Sequence, residues 1–129
     1  MTHDDIIAYG LQKRGVSLRH PFDPLLPVLF VGSKIFALLG SHTGSPSVNL
    51  KADPEDAWLQ RQTYPGAVTP GYHMNKRHWN TVHLNGAVPD DELRTMIDES
   101  YLLAARSLRK DDREALGLPP RHGRTEPAR

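Results

Sequence analysis

Apolar and polar positions change period several times along this chain, and each change marks an element. Ile6, Ile7 and Leu11 form one apolar stripe at helical spacing. Thr2 and Asp5 precede it as an N-cap and an acid at the third helical position, and Gly15 reads as its stop. From Arg19 to Pro27, the prolines Pro21, Pro24 and Pro27 exclude a helix and imply an extended approach segment. Val28–Val31 and Ile35–Leu39 are short β-rich apolar runs around Gly32, Ser33 and Lys34, which predicts a hairpin of two well-covered strands. Ser41 to Pro46 reads as a loop. Val48 to Lys51 alternates, as a strand with one buried and one open face does.

The second half repeats this grammar. Asp53, Pro54, Glu55 and Asp56 predict a helix start: a capping Asp, a proline in the first turn, acids on the positive end of the dipole. That helix runs to about Gln62, and Tyr64, Pro65 and Gly66 end it. Ala67 to Thr69 and Tyr72 to Met74 form an interrupted strand, His78 to Leu84 the next, and Asn85 with Gly86 turns out of it. Pro89 opens a last helix whose face carries Leu93, Met96, Ile97, Tyr101, Ala104 and Leu108. The expected fold is α/β in the α+β sense: an antiparallel sheet of about five strands with helices packed on one face. Residues 1–108 form the domain, and residues 109–129 read as a polar, mobile tail.

Composition narrows the class. With 129 residues, 38% apolar and 24% charged, the chain is an ordinary globular domain with one modest core. The absence of cysteine excludes a disulfide framework, a thiol nucleophile and a thiolate metal site. No apolar run approaches the roughly 18 residues of a membrane helix, and the acidic start is unlike a secretory leader, so a cytoplasmic protein is expected. Residues 1–108 hold ten Lys/Arg against eleven Asp/Glu, whereas residues 109–129 hold six against four. A body this close to neutral binds an anionic polymer only through a local patch.

One stretch offers such a patch. If Val82 and Leu84 face the helices, strand parity turns Trp79, Thr81 and His83 to the other side. Asn49 and Lys51 join them there, edged by Asn75, Lys76 and Arg77. Lys and Arg would neutralise phosphates and Trp79 would offer a flat contact; the competing reading packs Trp79 under a loop and leaves the charges solvated at a turn. His73, His78 and His83 stand five apart, which alternates faces in a strand and does not converge on a metal, and no Asp or Glu lies nearby to complete a set. No metal site and no cofactor are expected. Ser100 and His78 do not make a nucleophile and base, because Ser100 falls mid-helix near the apolar face. No phosphate loop or hydrolase motif is present, so no enzyme is expected.

Gly71 to Val82 (Gly-Tyr-His-Met-Asn-Lys-Arg-His-Trp-Asn-Thr-Val), followed by Asn85-Gly86, Pro89-Asp90-Asp91 and Ser100-Tyr101, resembles the MmcQ/YjbR family. The resemblance spans about residues 2–108. It implies a CyaY-like fold with a "double-wing" motif and binding of double-stranded DNA. The positions that carry over are Lys51, Asn75, Lys76, His78 and Trp79; Arg77 joins them on charge alone. CyaY-like folds include iron-binding frataxins, but the acids here cluster at helix starts, where capping explains them. The alternative, favoured by the near-neutral body, is a protein- or small-ligand-binding adaptor that uses the same open face.

Overall fold

The structure, a computed structural model, describes residues 1–71 and 74–118. The chain runs α1 (His3–Leu11), β1 (Val16–Arg19), β2 (Val28–Val31), β3 (Lys34–His42), β4 (Ser45–Lys51), α2 (Pro54–Thr63), β5 (Val68–Pro70), β6 (Trp79–His83), α3 (Asp90–Arg106) and α4 (Lys110–Ala115). The strands form one sheet in the order β1-β2-β3-β4-β6-β5, and every neighbouring pair is antiparallel. The α+β class is as predicted, with one strand more than expected. β1 is the addition, a short edge strand hidden in sequence between the stop at Gly15 and the proline-rich segment. Among the described residues no helix is long and apolar enough to cross a membrane.

Local chemistry sets most boundaries. The Thr2 hydroxyl accepts from the Asp5 amide at 3.1 Å, and the Asp5 carboxylate accepts from the Thr2 amide at 2.9 Å, closing a reciprocal cap on α1. Those bonds hold the Asp5 carboxyl below its usual proton affinity, the backbone bond from Thr2 contributing most. Asp53 occupies the N-cap of α2, but its side chain makes no capping bond, contrary to the expected role. The expected loop at Ser41–Pro46 is instead a tight hairpin: His42 pairs with Ser45, and Thr43 and Gly44 both take positive φ (52° and 82°). Two left-handed residues match the twist of the flanking strands, and Gly44 takes one of them without a Cβ to crowd.

The core explains the unbroken apolar run in β3. The β2–β3 register shifts between Leu29 and Phe30, so that Leu29 pairs with Ala37 and Phe30 with Ile35, leaving Phe36 as an extra residue. This bulge lets Phe36 and Ala37 both enter the core under the helices while Ile35 packs on the opposite side. Ile6 of α1, Leu29, Val48, Leu50 and Val82 of the sheet, and Leu93, Met96, Ile97, Tyr101, Ala104 and Leu108 around α3 complete that core. The ring of Tyr101 meets Phe36 edge-on at 5.5 Å. Each fully buried side chain of this size contributes roughly 1.5–3 kcal/mol.

The expected boundary after Leu108 does not end the folded chain. Residues 109–118 lie against the body as α4 and its exit, while 119–129 fall outside the described residues. Leu116 packs so closely over Gly15 and Gly32 that a Cβ on either would come within 3.2 Å and 3.1 Å of its Cδ1. Arg113 is buried and donates to the Leu108 carbonyl. The polar run Arg109–Asp112 concealed this in the sequence, because a short helix needs only one or two apolar anchors.

Candidate functional site

The face of the sheet turned away from the helices has the expected parity. Lys51 stands opposite Trp79, Asn49 opposite Thr81 and Ser47 opposite His83. Val48, Leu50 and Val82 point the other way, into the core. The centre of this face is nevertheless not open. Val28, Phe30 and Leu38 are buried there, and Leu26 of the proline-rich segment, Ile35, Met74 and Trp79 pack against them. Trp79 is half-buried, one wall of a second apolar cluster, and this corrects the expectation of a flat exposed platform. Lys51, Asn49 and His83 are half-buried, and Thr81 is buried with its hydroxyl on the Asn49 side-chain oxygen.

The segment before β6 is a turn that its own side chains tie down. The Asn75 side-chain oxygen accepts from the Arg77 amide at 3.0 Å. Its carbonyl accepts from the amides of His78 and Trp79 at 3.1 and 2.9 Å. The Lys76 ammonium donates back to the Gly71 carbonyl at 3.3 Å, and Arg61 of α2 donates to the Lys76 carbonyl at 3.4 Å. Gly71 is required here: a Cβ would lie 2.9 Å from both the Trp79 Cβ and its carbonyl oxygen. Asn75, Lys76 and Arg77 are exposed, and His78 is half-buried with its carbonyl accepting from Ala52 at 2.8 Å. Tyr72 and His73, expected in the same stretch, lie outside the described residues.

At the far end of β6, His83 lies with its ring 5.6 Å from that of His42 and its Nε2 3.3 Å from the Thr69 hydroxyl. Burial, and then the neighbouring His42, lower its affinity for a proton. Among the described residues no group of three His, Asp or Glu side chains is placed to hold a metal. Ser100 is fully buried on the helix side. Its hydroxyl accepts from the Lys51 amide at 2.9 Å and donates to the Phe36 carbonyl at 2.6 Å, so it stitches β4 to the bulge of β3.

Two residues that shape this region were not foreseen. Arg19 on β1 lays its guanidinium 4.4 Å over the Phe30 ring and donates to the Ser17 hydroxyl and the Gly32 carbonyl. Because β1 was not predicted, nothing in the sequence placed Arg19 on this face. Asn80 is fully buried on the core side of β6 and donates to the Ala57 carbonyl at 3.1 Å and the Gln60 side chain at 3.0 Å, anchoring α2. A polar residue in the core-facing row with Val82 was the available signal for it.

Charge is divided between the two layers. Among the described residues the strands carry Arg19, Lys34 and Lys51 and no Asp or Glu. Every acid of the described residues sits on a helix or at its cap except Asp23, whose carboxylate accepts from the Leu25 amide. The fold and this arrangement define a small one-sheet α+β protein, acidic on its helix layer and acid-free along its strands. The chain belongs to the YjbR family, whose model matches residues 11–103.

It is 38% identical over 112 residues to the uncharacterised protein YbdF of Escherichia coli O157:H7, covering 87% of this chain and 91% of that one. It is 34% identical to the uncharacterised protein YjbR of E. coli K12, covering 90% and 98%. A crystal structure from Deinococcus radiodurans with domain DUF419 superposes with a TM-score of 0.83 at 36% identity, covering 92% of this chain and 89% of that chain. A Pseudomonas syringae protein of known crystal structure is similar with a TM-score of 0.69 at 29% identity, covering 81% and 99%.

Proposed function

We propose that the protein is a non-enzymatic, cytoplasmic binder of double-stranded DNA that uses the cationic edge of the sheet side. The observation that supports this most is the segregation of charge. A net charge near zero conceals strands without a single acid and a turn that presents Arg77 and Lys76. An anionic polymer that meets this side lies a sheet's thickness farther from the helix acids than from these cations. In this reading Arg77 and Lys76 contact phosphates, Lys51 and Arg19 extend the cationic surface, and Asn75 and His78 offer polar contacts beside them. Trp79 serves by holding the turn in place, not by stacking on a base. The adaptor alternative on this same face is less well supported, because its apolar centre of Val28, Phe30 and Leu38 is already buried.

The test is fluorescence anisotropy of a labelled duplex of about 25 base pairs at several salt concentrations. The intact chain should bind with an affinity that falls as salt rises. A Lys76→Glu/Arg77→Glu double variant should bind much more weakly, with a salt slope shallower by about 0.9 for each phosphate no longer neutralised. No binding at low salt, or equal binding by the double variant, would sink the proposal.

A further inference from the structure

The helix layer carries a surface that DNA binding on the sheet side does not use. α3 packs on β3 and β4 while α2 packs on β5 and β6, and a groove of about 240 Å³ opens between the two helices. Ala52, Asp53, Asp56, Glu99, Leu102 and Leu103 line it. Beside it, α2 presents Trp58 and Leu59 at 59% and 56% exposure around a shallow depression shared with Pro54. Asp56 borders both, so the depression begins at the edge of the groove. An indole and a leucine left mostly in water on one helix give apolar area that the fold itself does not bury.

The rim has a sign. Asp53, Glu55, Asp56 and Glu99 form no ion pair among the described residues, and Arg106 is the single cation among the groove-lining residues. Burial and the nearby Asp56 and Asp53 raise the proton affinity of Glu99, the mark of carboxylates that lack a counter-charge. This sign selects among occupants. A symmetric second copy would set acids against acids, and a nucleic acid or an anionic lipid surface would be repelled. A groove between two helices accepts a third, read by apolar side chains at helical spacing, with cations on its flanks to meet the rim.

We propose that the α2–α3 groove, with Trp58 and Leu59, is a docking site for a cationic amphipathic helix of a protein partner. The proposal stands independently of DNA binding, since it uses the other layer of the molecule. Its test titrates the isotope-labelled full chain with a synthetic Leu/Lys amphipathic helical peptide, and separately with a Leu/Glu peptide of the same pattern. Amide shifts are followed by NMR. The Leu/Lys peptide should bind and move resonances of residues 53–59 and 99–106, and Trp58→Ser should weaken it by about tenfold or more. Asp56→Lys/Glu99→Lys should abolish binding of the Leu/Lys peptide and confer binding of the Leu/Glu peptide, with well-dispersed spectra confirming that the variant folds. Shifts scattered over the surface, equal binding of both peptides, or no binding would overturn the proposal. So would self-association in sedimentation that Trp58→Ser abolishes, which would assign the patch to a second copy.

Discussion

The Ser100 hydroxyl stands just beyond the last β3–β4 pair, Ala37 with Leu50, where it accepts from the Lys51 amide and donates to the Phe36 carbonyl. Ser100→Ala strands both groups in the core and should cost about 1–3 kcal/mol in urea denaturation. Gly71→Ala pushes against the Trp79 backbone and should cost a comparable ~1–3 kcal/mol, and it should also weaken duplex binding by displacing the Asn75–Arg77 turn. His83 links stability to pH. Burial and His42 disfavour its charged form, so the folded state has the lower pKa. The stability it contributes is fully present above the ordinary value of 6.5 and is lost as pH falls through the depressed folded one. Thermal melts from about pH 7 to about pH 5 should therefore show a steeper loss for the native chain than for His83→Gln.

At the scale of elements, α2 is attached by polar rather than apolar contacts. Ala57 is its one fully buried side chain, and Asn80 and Arg61 tie it to β6 and to the turn. Asn80→Ala should accelerate amide exchange across residues 54–63 and lower stability by about 1–3 kcal/mol. Glu99 on α3 carries the opposite sign of pH dependence from His83. Its folded pKa is raised above 4.5, so its contribution is fully present below that value and is lost as pH rises through the folded one. Glu99→Gln should thus melt higher than the native chain at neutral pH and lose that advantage in acid.

For the molecule as a whole, the ten residues after Leu108 belong to the fold. A chain ending at Leu108 loses Leu116 and Leu118 from the core margin and the Arg113 bond to the Leu108 carbonyl. It should be at least about 2 kcal/mol less stable than a chain ending at Leu118 by urea denaturation. The division of charge is also a property of this scale. Acids that cap helices gather on one layer because every helix lies on one side of the sheet or at its margin, while β-rich segments poor in acids form the other.

Features governed by local chemistry are legible along the chain. The cap at Thr2 and Asp5, the start of α2 at Pro54, the α3 stripe from Leu93 to Leu108 and the facing of Val48, Leu50 and Val82 all follow from periods and end signals that short-range sterics enforce. The remaining features come from contacts between segments. The half-burial of Trp79 depends on packing against Val28, Phe30 and Leu38, residues of β2 and β3 that are distant from it in sequence. The strand character of Val16–Arg19 depends on pairing with β2, and the ordering of α4 on the hollow above Gly15 and Gly32 that Leu116 fills. The position of Arg19, the anchoring by Asn80 and the groove between α2 and α3 have the same origin: each arises where two segments meet, and a period read along one segment contains no term for its partner.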